Sequence, residues 1–157
     1  MLLHRQEMII HQKGFLKSPD LDAAPNWTLP PLNMIKINID AAISARSNLS
    51  VVSGVCRDAS GAVLRWGVSI LRGILKVEVA EAKAVPFGIQ QASEVPSKVL
   101  FVESDAANFI SRLLHPESAI DPIHVIIDDC LAETASRTVQ FQHVRRHCNQ
   151  VAHASAK

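Results

Sequence analysis

Met34-Ile-Lys-Ile-Asn-Ile-Asp40 is the stretch of sequence that decides the fold. Its isoleucines alternate with polar residues at a period of two, which is typical of a β-strand with one apolar and one polar face. Asp40 ends the predicted strand on the polar face. An acid there is a candidate site residue, although an acid that merely ends a strand at a turn explains the pattern equally well.

Two further acids follow at the ends or faces of predicted elements. Glu81 lies in a predicted helix over residues 75–92, on the apolar stripe expected to face the sheet. Asp105 follows a predicted strand at 98–103 and opens a helix, where it or Ser104 is a candidate N-cap. Each acid also has a plain structural explanation. Glu81 could lie at the margin of the apolar stripe, and Asp105 could be only a helix cap. Together with Asp40 they predict a metal site, because Mg²⁺ prefers oxygen ligands from a few carboxylates.

The remaining patterns predict the architecture. Segments 51–57 and 62–70 flank the short turn 58–61 and should pair as a hairpin. Helices are predicted after residue 104, at 119–135 and at 149–157, with a fifth strand at 138–144, and Pro86 predicts a kink or a late start in the helix at 75–92. This order predicts an α/β fold with a five-stranded mixed sheet and helices on both faces.

Composition narrows the class of protein. The 157 residues, 48% hydrophobic, fit one domain, and a net charge of +1 gives no global basic field for nucleic acid. Residues 1–31 have no sustained period and end in prolines, so we predict a poorly structured N-terminal linker followed by a domain at 32–157. Three cysteines without paired spacing predict free thiols and an intracellular location, nuclear or cytoplasmic. We expect a monomer with no membrane segment.

Six short motifs occur in order between Trp27 and Lys157. They are Trp27 with Pro30-Pro31; Lys36–Ala42; Gly54–Asp58 with Gly61; Ala80–Ala84; Glu103–Asp105; and His143–Arg146 with Asn149 and Val151–His153. This ordered set resembles the plant RNase H-like domain family, which is of the reverse transcriptase-like RNase H type within the ribonuclease H superfamily.

The resemblance implies a function. Such domains bind RNA–DNA hybrids and hydrolyse the RNA strand with Mg²⁺, or Mn²⁺ in its place, alone or inside retroelement polyproteins. Asp40, Glu81 and Asp105 match the first three catalytic acids of the family and would be the metal ligands. Two ions held in this way can provide a hydroxide near neutral pH and stabilise the charge of the transition state. The sequence thus predicts an RNase H-type endonuclease.

His153 departs from the family pattern. It stands where the well-studied active members have a fourth acid, usually Asp. Imidazole is a poor Mg²⁺ ligand, so either metal binding is weakened or His153 acts as a catalytic proton shuttle or as a contact held through water. The loop Arg145–Cys148 is also shorter than the bacterial loop that carries a product-release histidine. The alternative prediction is therefore a catalytically weak or inactive RNase H-like nucleic-acid-binding domain, including one derived from a retroelement.

Contacts to the nucleic acid are predicted from donors and cations near the acids. Polar side chains are candidates for the 2′-hydroxyls and arginines for phosphates, although each could instead be an exposed residue, a cap or an internal hydrogen-bond partner. These candidates are Asn38, Ser44, Asn108, Asn149, Arg145 and Arg146.

A third hypothesis is an interaction module stabilised by zinc, although the spacing of the possible ligands along the chain fits no common zinc pattern. Its ligands would be His143, His147, Cys148 and His153.

Overall fold

The computed structural model describes residues 7–13 by their backbone, together with residues 27–97, 99–118, 122–135 and 137–157. Six strands and four α-helices lie in these ranges. In chain order they are β1 (Glu7–Lys13), β2 (Met34–Ser44), β3 (Leu49–Arg57), β4 (Val63–Arg72), α1 (Val77–Gln91), β5 (Val99–Ser104), α2 (Ala107–Leu114), α3 (Pro122–Glu133), β6 (Thr138–His143) and α4 (Gln150–Ala156). Short 3-10 helices at Pro116–Ser118 and Arg146–Asn149 precede α3 and α4.

The strands form one mixed sheet in the order β1-β4-β3-β2-β5-β6. β2, β3 and β4 pair antiparallel, while β2–β5 and β5–β6 are parallel. The predicted α/β fold and its five strands are confirmed. β1 adds a sixth strand by pairing antiparallel with β4, Glu7 opposite Leu71. Residues 7–13 thus differ from the predicted linker, because pairing with a strand more than fifty positions away leaves no local periodic signal.

Helix α1 packs closely on the apolar face of β2. Ile35, Ile37 and Ile39 on this face are all buried. Gly88 of α1 makes the close approach possible, because a Cβ atom there would lie 2.4 Å from Ile39 Cγ2. Pro86 lies inside α1, which runs unbroken from Val77 to Gln91. The sheet therefore fixes the position of the helix that carries Glu81.

The polar face of β2 is buried as well. Lys36, Asn38 and Asp40 are 3%, 3% and 1% exposed. The segment that ends in α4 covers part of this face, where the Ser53 hydroxyl donates to the Ala152 carbonyl at 2.6 Å. Helices thus lie on both faces of the sheet, as predicted. Burial of the polar face has to be balanced by internal hydrogen bonds and ion pairs.

Trp27 covers another part of that face. Its Nε1 donates to Asn38 Oδ1 at 3.4 Å, and its ring lies 5.0 Å from Lys36 Nζ and 4.7 Å from Arg57 Cζ. Lys36 also forms a buried ion pair with Glu103 at 2.9 Å. The segment 27–31, which was predicted as part of the linker, therefore contributes packing to the domain.

Several local predictions can be compared with the structure. The hairpin turn places Gly61 at a φ of 83°, as its glycine predicts. The N-cap of α2 is Ala106 and neither Ser104 nor Asp105. The Ser104 hydroxyl instead accepts from the backbone N–H of Ala106 at 3.1 Å. All three cysteines carry thiols, with Cys56 and Cys130 buried and Cys148 half-buried.

Candidate metal centre

The three acids come from three separate elements. Asp40 lies inside β2, which continues four residues further than predicted. Glu81 is in the second turn of α1 and Asp105 directly follows β5. Because β2 and β5 are parallel neighbours with Asn38 opposite Glu103, Asp40 and Asp105 each lie two residues beyond a paired position. The topology thus brings their carboxylates to one place.

The acids form a compact cluster. One carboxylate oxygen from each of Asp40, Glu81 and Asp105 lies within 4.8 Å of the other two. Within the described part of the chain, no other group of histidine, cysteine or acidic side chains is arranged to share an ion. The zinc hypothesis therefore gains no support there, since His143, His147, Cys148 and His153 form no such group.

Glu81 is the least satisfied member of the cluster. It is 7% exposed, and its Oε2 has no hydrogen-bond partner among the described residues. Burial first, and then the charges of Asp40 and Asp105, raise the pKa of Glu81 to about 8. A buried carboxylate beside two others is unfavourable unless it is protonated or meets a cation. The environment of Glu81 therefore fits a bound divalent ion.

Asp40 is almost fully buried and has one strong partner. Burial raises its pKa, the hydrogen bond with His153 opposes that rise, and the charge of Asp105 adds to it. His153 Nδ1 lies 2.8 Å from Asp40 Oδ2. An ionised carboxylate can only accept, so Nδ1 is then the donor. His153 thus contacts the cluster through Asp40 and is not itself within the group of three.

Arg146 places a positive charge beside the cluster. Its Nε donates to Asp105 Oδ2 at 2.9 Å, and its charge opposes the rise in the pKa of Glu81. The Arg146 side chain is 71% exposed, whereas that of Asp105 is 6% exposed. The guanidinium therefore partly balances the cluster while remaining open to solvent.

Two of the residues predicted to contact nucleic acid are internal instead. Asn38 and Asn149 are 3% and 1% exposed, and the amide of Asn38 donates to that of Asn149 at 3.1 Å. The prediction fails for these two because a period of two cannot show that the second face of a strand is covered. Asn108 and Arg145 are exposed, and Ser44 is half-buried with its hydroxyl accepting from Ser47 N–H at 3.2 Å.

The sequence of this chain is similar to that of a known protein family. A family model described as reverse transcriptase-like matches residues 38–157. No curated protein matches the chain. None of the helices in the described ranges combines the length and the apolar run that crossing a membrane requires.

Solved structures share the fold. The N-terminal RNase H domain of a Mycobacterium tuberculosis protein, solved as a fusion with maltose-binding protein, is 18% identical with a TM-score of 0.68, covering 78% of this chain and 90% of that one. RNase H1 from Halobacterium salinarum is 18% identical with a TM-score of 0.64, and the match covers 78% of this chain and 93% of that one. LC11-RNase H1, solved with an RNA/DNA hybrid, is 16% identical with a TM-score of 0.64, covering 77% and 92%.

Proposed function

The chain belongs to the reverse transcriptase-like family of RNase H-like domains, and on this premise we propose that it is an endonuclease that hydrolyses the RNA strand of RNA–DNA hybrids with divalent ions. The observation that carries the proposal is the cluster of Asp40, Glu81 and Asp105 within 4.8 Å. A similar structure solved with an RNA/DNA hybrid supports the substrate class.

The residues present fit Mg²⁺, or Mn²⁺ in its place. Three carboxylates from separate rigid elements are the oxygen donors that these ions prefer. The unpartnered Oε2 of buried Glu81 also requires a cation or a proton. Asp40, Glu81 and Asp105 would hold the ions. When bound, two such ions supply a hydroxide near neutral pH and positive charge over the transition state.

Other side chains of the chain have supporting roles in this proposal. When Asp40 is ionised, the Nδ1–H of His153 donates to Asp40 Oδ2 and so orients that carboxylate. Arg146 presents an exposed guanidinium beside Asp105, where it can bind a phosphate through charge-assisted hydrogen bonds. Exposed Arg145 and Asn108 remain candidates for the phosphates and 2′-hydroxyls of the substrate.

A cleavage assay on a hybrid with a labelled RNA strand tests the proposal, with Mg²⁺ and Mn²⁺ in parallel. Asp40→Asn should lower the rate roughly a hundredfold or more, because it removes one ion-binding charge. Asp129→Asn is the matched control, since Asp129 is an exposed acid on α3. Cleavage unaffected by Asp40→Asn would reject the site. The same RNA as a single strand tests the requirement for a hybrid.

A second candidate is a nucleic-acid-binding domain with little or no turnover. It is favoured by one observation: Oδ2 of both Asp40 and Asp105 is already bonded, to His153 and Arg146 respectively. Each bond competes with metal ligation. Hybrid binding without cleavage in either ion would support this candidate. The plant branch, a retroelement origin, a monomeric state and an intracellular location stay predictions.

A further inference from the structure

We propose that Asn149 is a positioning residue that sets the contact between Asp40 and His153, and its catalytic consequence rests on the proposed function. Asn149 is 1% exposed. Its Nδ2 donates to the Ile39 carbonyl at 2.7 Å, and its Oδ1 accepts from Asn38 Nδ2 at 3.1 Å. Both ends of this amide are therefore used inside the protein.

The partners of Asn149 lie directly beside the first acid of the cluster. Ile39 immediately precedes Asp40, and Asn38 is two positions before it. Asn149 itself precedes α4, and His153 follows it by four positions, about one helical turn. One side chain therefore joins the backbone next to Asp40 to the helix whose histidine reaches the Asp40 carboxylate.

The Asn149 amide has one favourable orientation. Turned over, it would place Oδ1 against the Ile39 carbonyl and Nδ2 against Asn38 Nδ2, and each contact would then join two acceptors or two donors. Asn38 is held in turn, because its Nδ2 also donates to Glu103 Oε2 at 3.0 Å. The network thus defines the position of the start of α4 relative to β2.

Asn149 does not cap helix α4, which is the usual role of an asparagine at the beginning of a helix. Asn149 occupies the N-cap position of α4, yet its side chain makes no capping hydrogen bond. Such a cap is typically worth about 1 kcal/mol. The side chain instead makes a contact across 110 positions of the chain. The hydrogen bonds of the Asn149 amide therefore connect α4 to the sheet.

A second contact holds the same helix near His153. The Ser53 hydroxyl donates to the carbonyl of Ala152 at 2.6 Å, and Ser53 is opposite Asp40 in the β2–β3 register. Helix α4 is therefore attached to the sheet at its beginning and again next to His153. Without Asn149 the attachment at the beginning of α4 would be lost, and we expect the contact between His153 and Asp40 to become less well defined.

Two variants test Asn149. Asn149→Ser keeps a residue suited to the N-cap but is too short to reach Ile39 and Asn38, while Asn149→Asp keeps the shape and the acceptor and loses the donor to Ile39. The first readout is the proton signal of His153 Nδ1–H in the metal-free protein by NMR. We expect a downfield signal in the unsubstituted protein and its loss through solvent exchange in both variants.

The second readout is the affinity for Mn²⁺ alone, measured by calorimetry. Residues that orient metal ligands typically change affinity ten- to a hundredfold, so we expect roughly tenfold weaker binding in both variants. Ser50→Ala is the control, because Ser50 is a fully buried hydroxyl of β3 that bonds Gly73 and Leu75 outside this network. It should lower Tm and leave the His153 signal and the Mn²⁺ affinity unchanged.

The outcomes separate the two proposals. Folded Asn149 variants that keep both the His153 signal and the Mn²⁺ affinity, and lose only Tm like Ser50→Ala, would overturn the positioning role. Absence of hybrid cleavage and of Mn²⁺ binding in the unsubstituted protein would instead reject the proposed function. The NMR signal would still decide what Asn149 does, because it is measured without metal.

Discussion

His153 Nδ1 and Asp40 Oδ2 are 2.8 Å apart, so the residue in place of the expected fourth acid binds the first acid directly. The His153 side chain is 23% exposed and that of Asp40 is 2% exposed. A hydrogen-bond donor therefore occupies a position where another carboxylate would add to the repulsion within the cluster. The presence of a histidine in place of an acid therefore has measurable consequences for stability and for metal binding.

Replacing His153 by aspartate should make the protein more dependent on Mg²⁺. In metal-free buffer we expect His153→Asp to lower the free energy of unfolding by about 2 kcal/mol, because a bond to a charged group is lost and a like charge is added. Mg²⁺ should then raise Tm by more than it does in the unsubstituted protein. The measurement is thermal unfolding with and without Mg²⁺.

The control for this change is His115→Asp, an exposed histidine outside the cluster. It should leave the response of Tm to Mg²⁺ unaltered. An equal rise in Tm for His153→Asp and the unsubstituted protein would contradict the expectation.

Glu81 should make the metal-free protein less stable as pH rises. Burial and two neighbouring acids raise its pKa to about 8 in the folded state, against 4.5 for the ordinary side chain. Between these values the folded state holds a proton that the unfolded state has lost, so stability is greatest below about 4.5 and falls towards 8. The slope contributed by Glu81 is about 1.4 kcal/mol per pH unit at most.

Denaturant unfolding of the metal-free protein across this pH range measures the effect. Glu81→Gln cannot titrate and should show a shallower fall in stability, with a remainder from Asp40, whose pKa is also raised by burial. Parallel curves for the two proteins would show that Glu81 is not the group responsible.

Gly88 should tolerate no side chain. A Cβ atom there would lie 2.4 Å from Ile39 Cγ2, so Gly88→Ala forces α1 away from the sheet. Overpacking typically costs about 1–3 kcal/mol, and so short a contact favours the upper part of that range, so we expect a net loss after the gain of about 1 kcal/mol in helix propensity. Because α1 carries Glu81, binding of Mn²⁺ should weaken as well.

Chemical unfolding and Mn²⁺ calorimetry test both parts of this prediction. Gln90→Ala, at an exposed position of the same helix, is the control and should be close to neutral. A stabilised Gly88→Ala variant would mean that α1 and β2 are less closely packed than described.

Trp27 should contribute to stability although it lies outside residues 38–157, which match the family. Trp27→Ala removes the ring that lies over Lys36 and Arg57 and the donor to Asn38. We expect a loss of about 2 kcal/mol in the free energy of unfolding. The neighbouring control is Leu32→Ala, since Leu32 is 84% exposed. Equal stabilities for the two variants would show that the Trp27 side chain does not stabilise the domain.

The sequence predicted those parts of the fold that depend on local pattern. The alternation in β2 identified the central strand, and the glycine in the turn at 58–61 identified the hairpin. The order of Asp40, Glu81 and Asp105 along predicted elements was enough to expect convergence, and their oxygens do lie together. These features depend on periodicity and turn chemistry, which neighbouring residues encode.

The contacts that were missed are long-range. The pattern of β2 shows that Asn38 and Asp40 share a face but cannot show that α4 and Trp27 cover it. The partners of Asn149 were therefore not identified, and its amide was assigned to the substrate. β1 escaped prediction for the same reason, because its pairing with β4 becomes evident only in the assembled sheet.

The polar contacts around Asp40 also bear on the order in which parts of the protein fold. They join residues 110, 111 and 113 positions apart. Because long loops must close before such contacts form, we expect them to appear late in folding. During synthesis β2 leaves the ribosome about a hundred residues before α4. A nascent chain therefore carries the three acids for some time without the helix that orients the first of them.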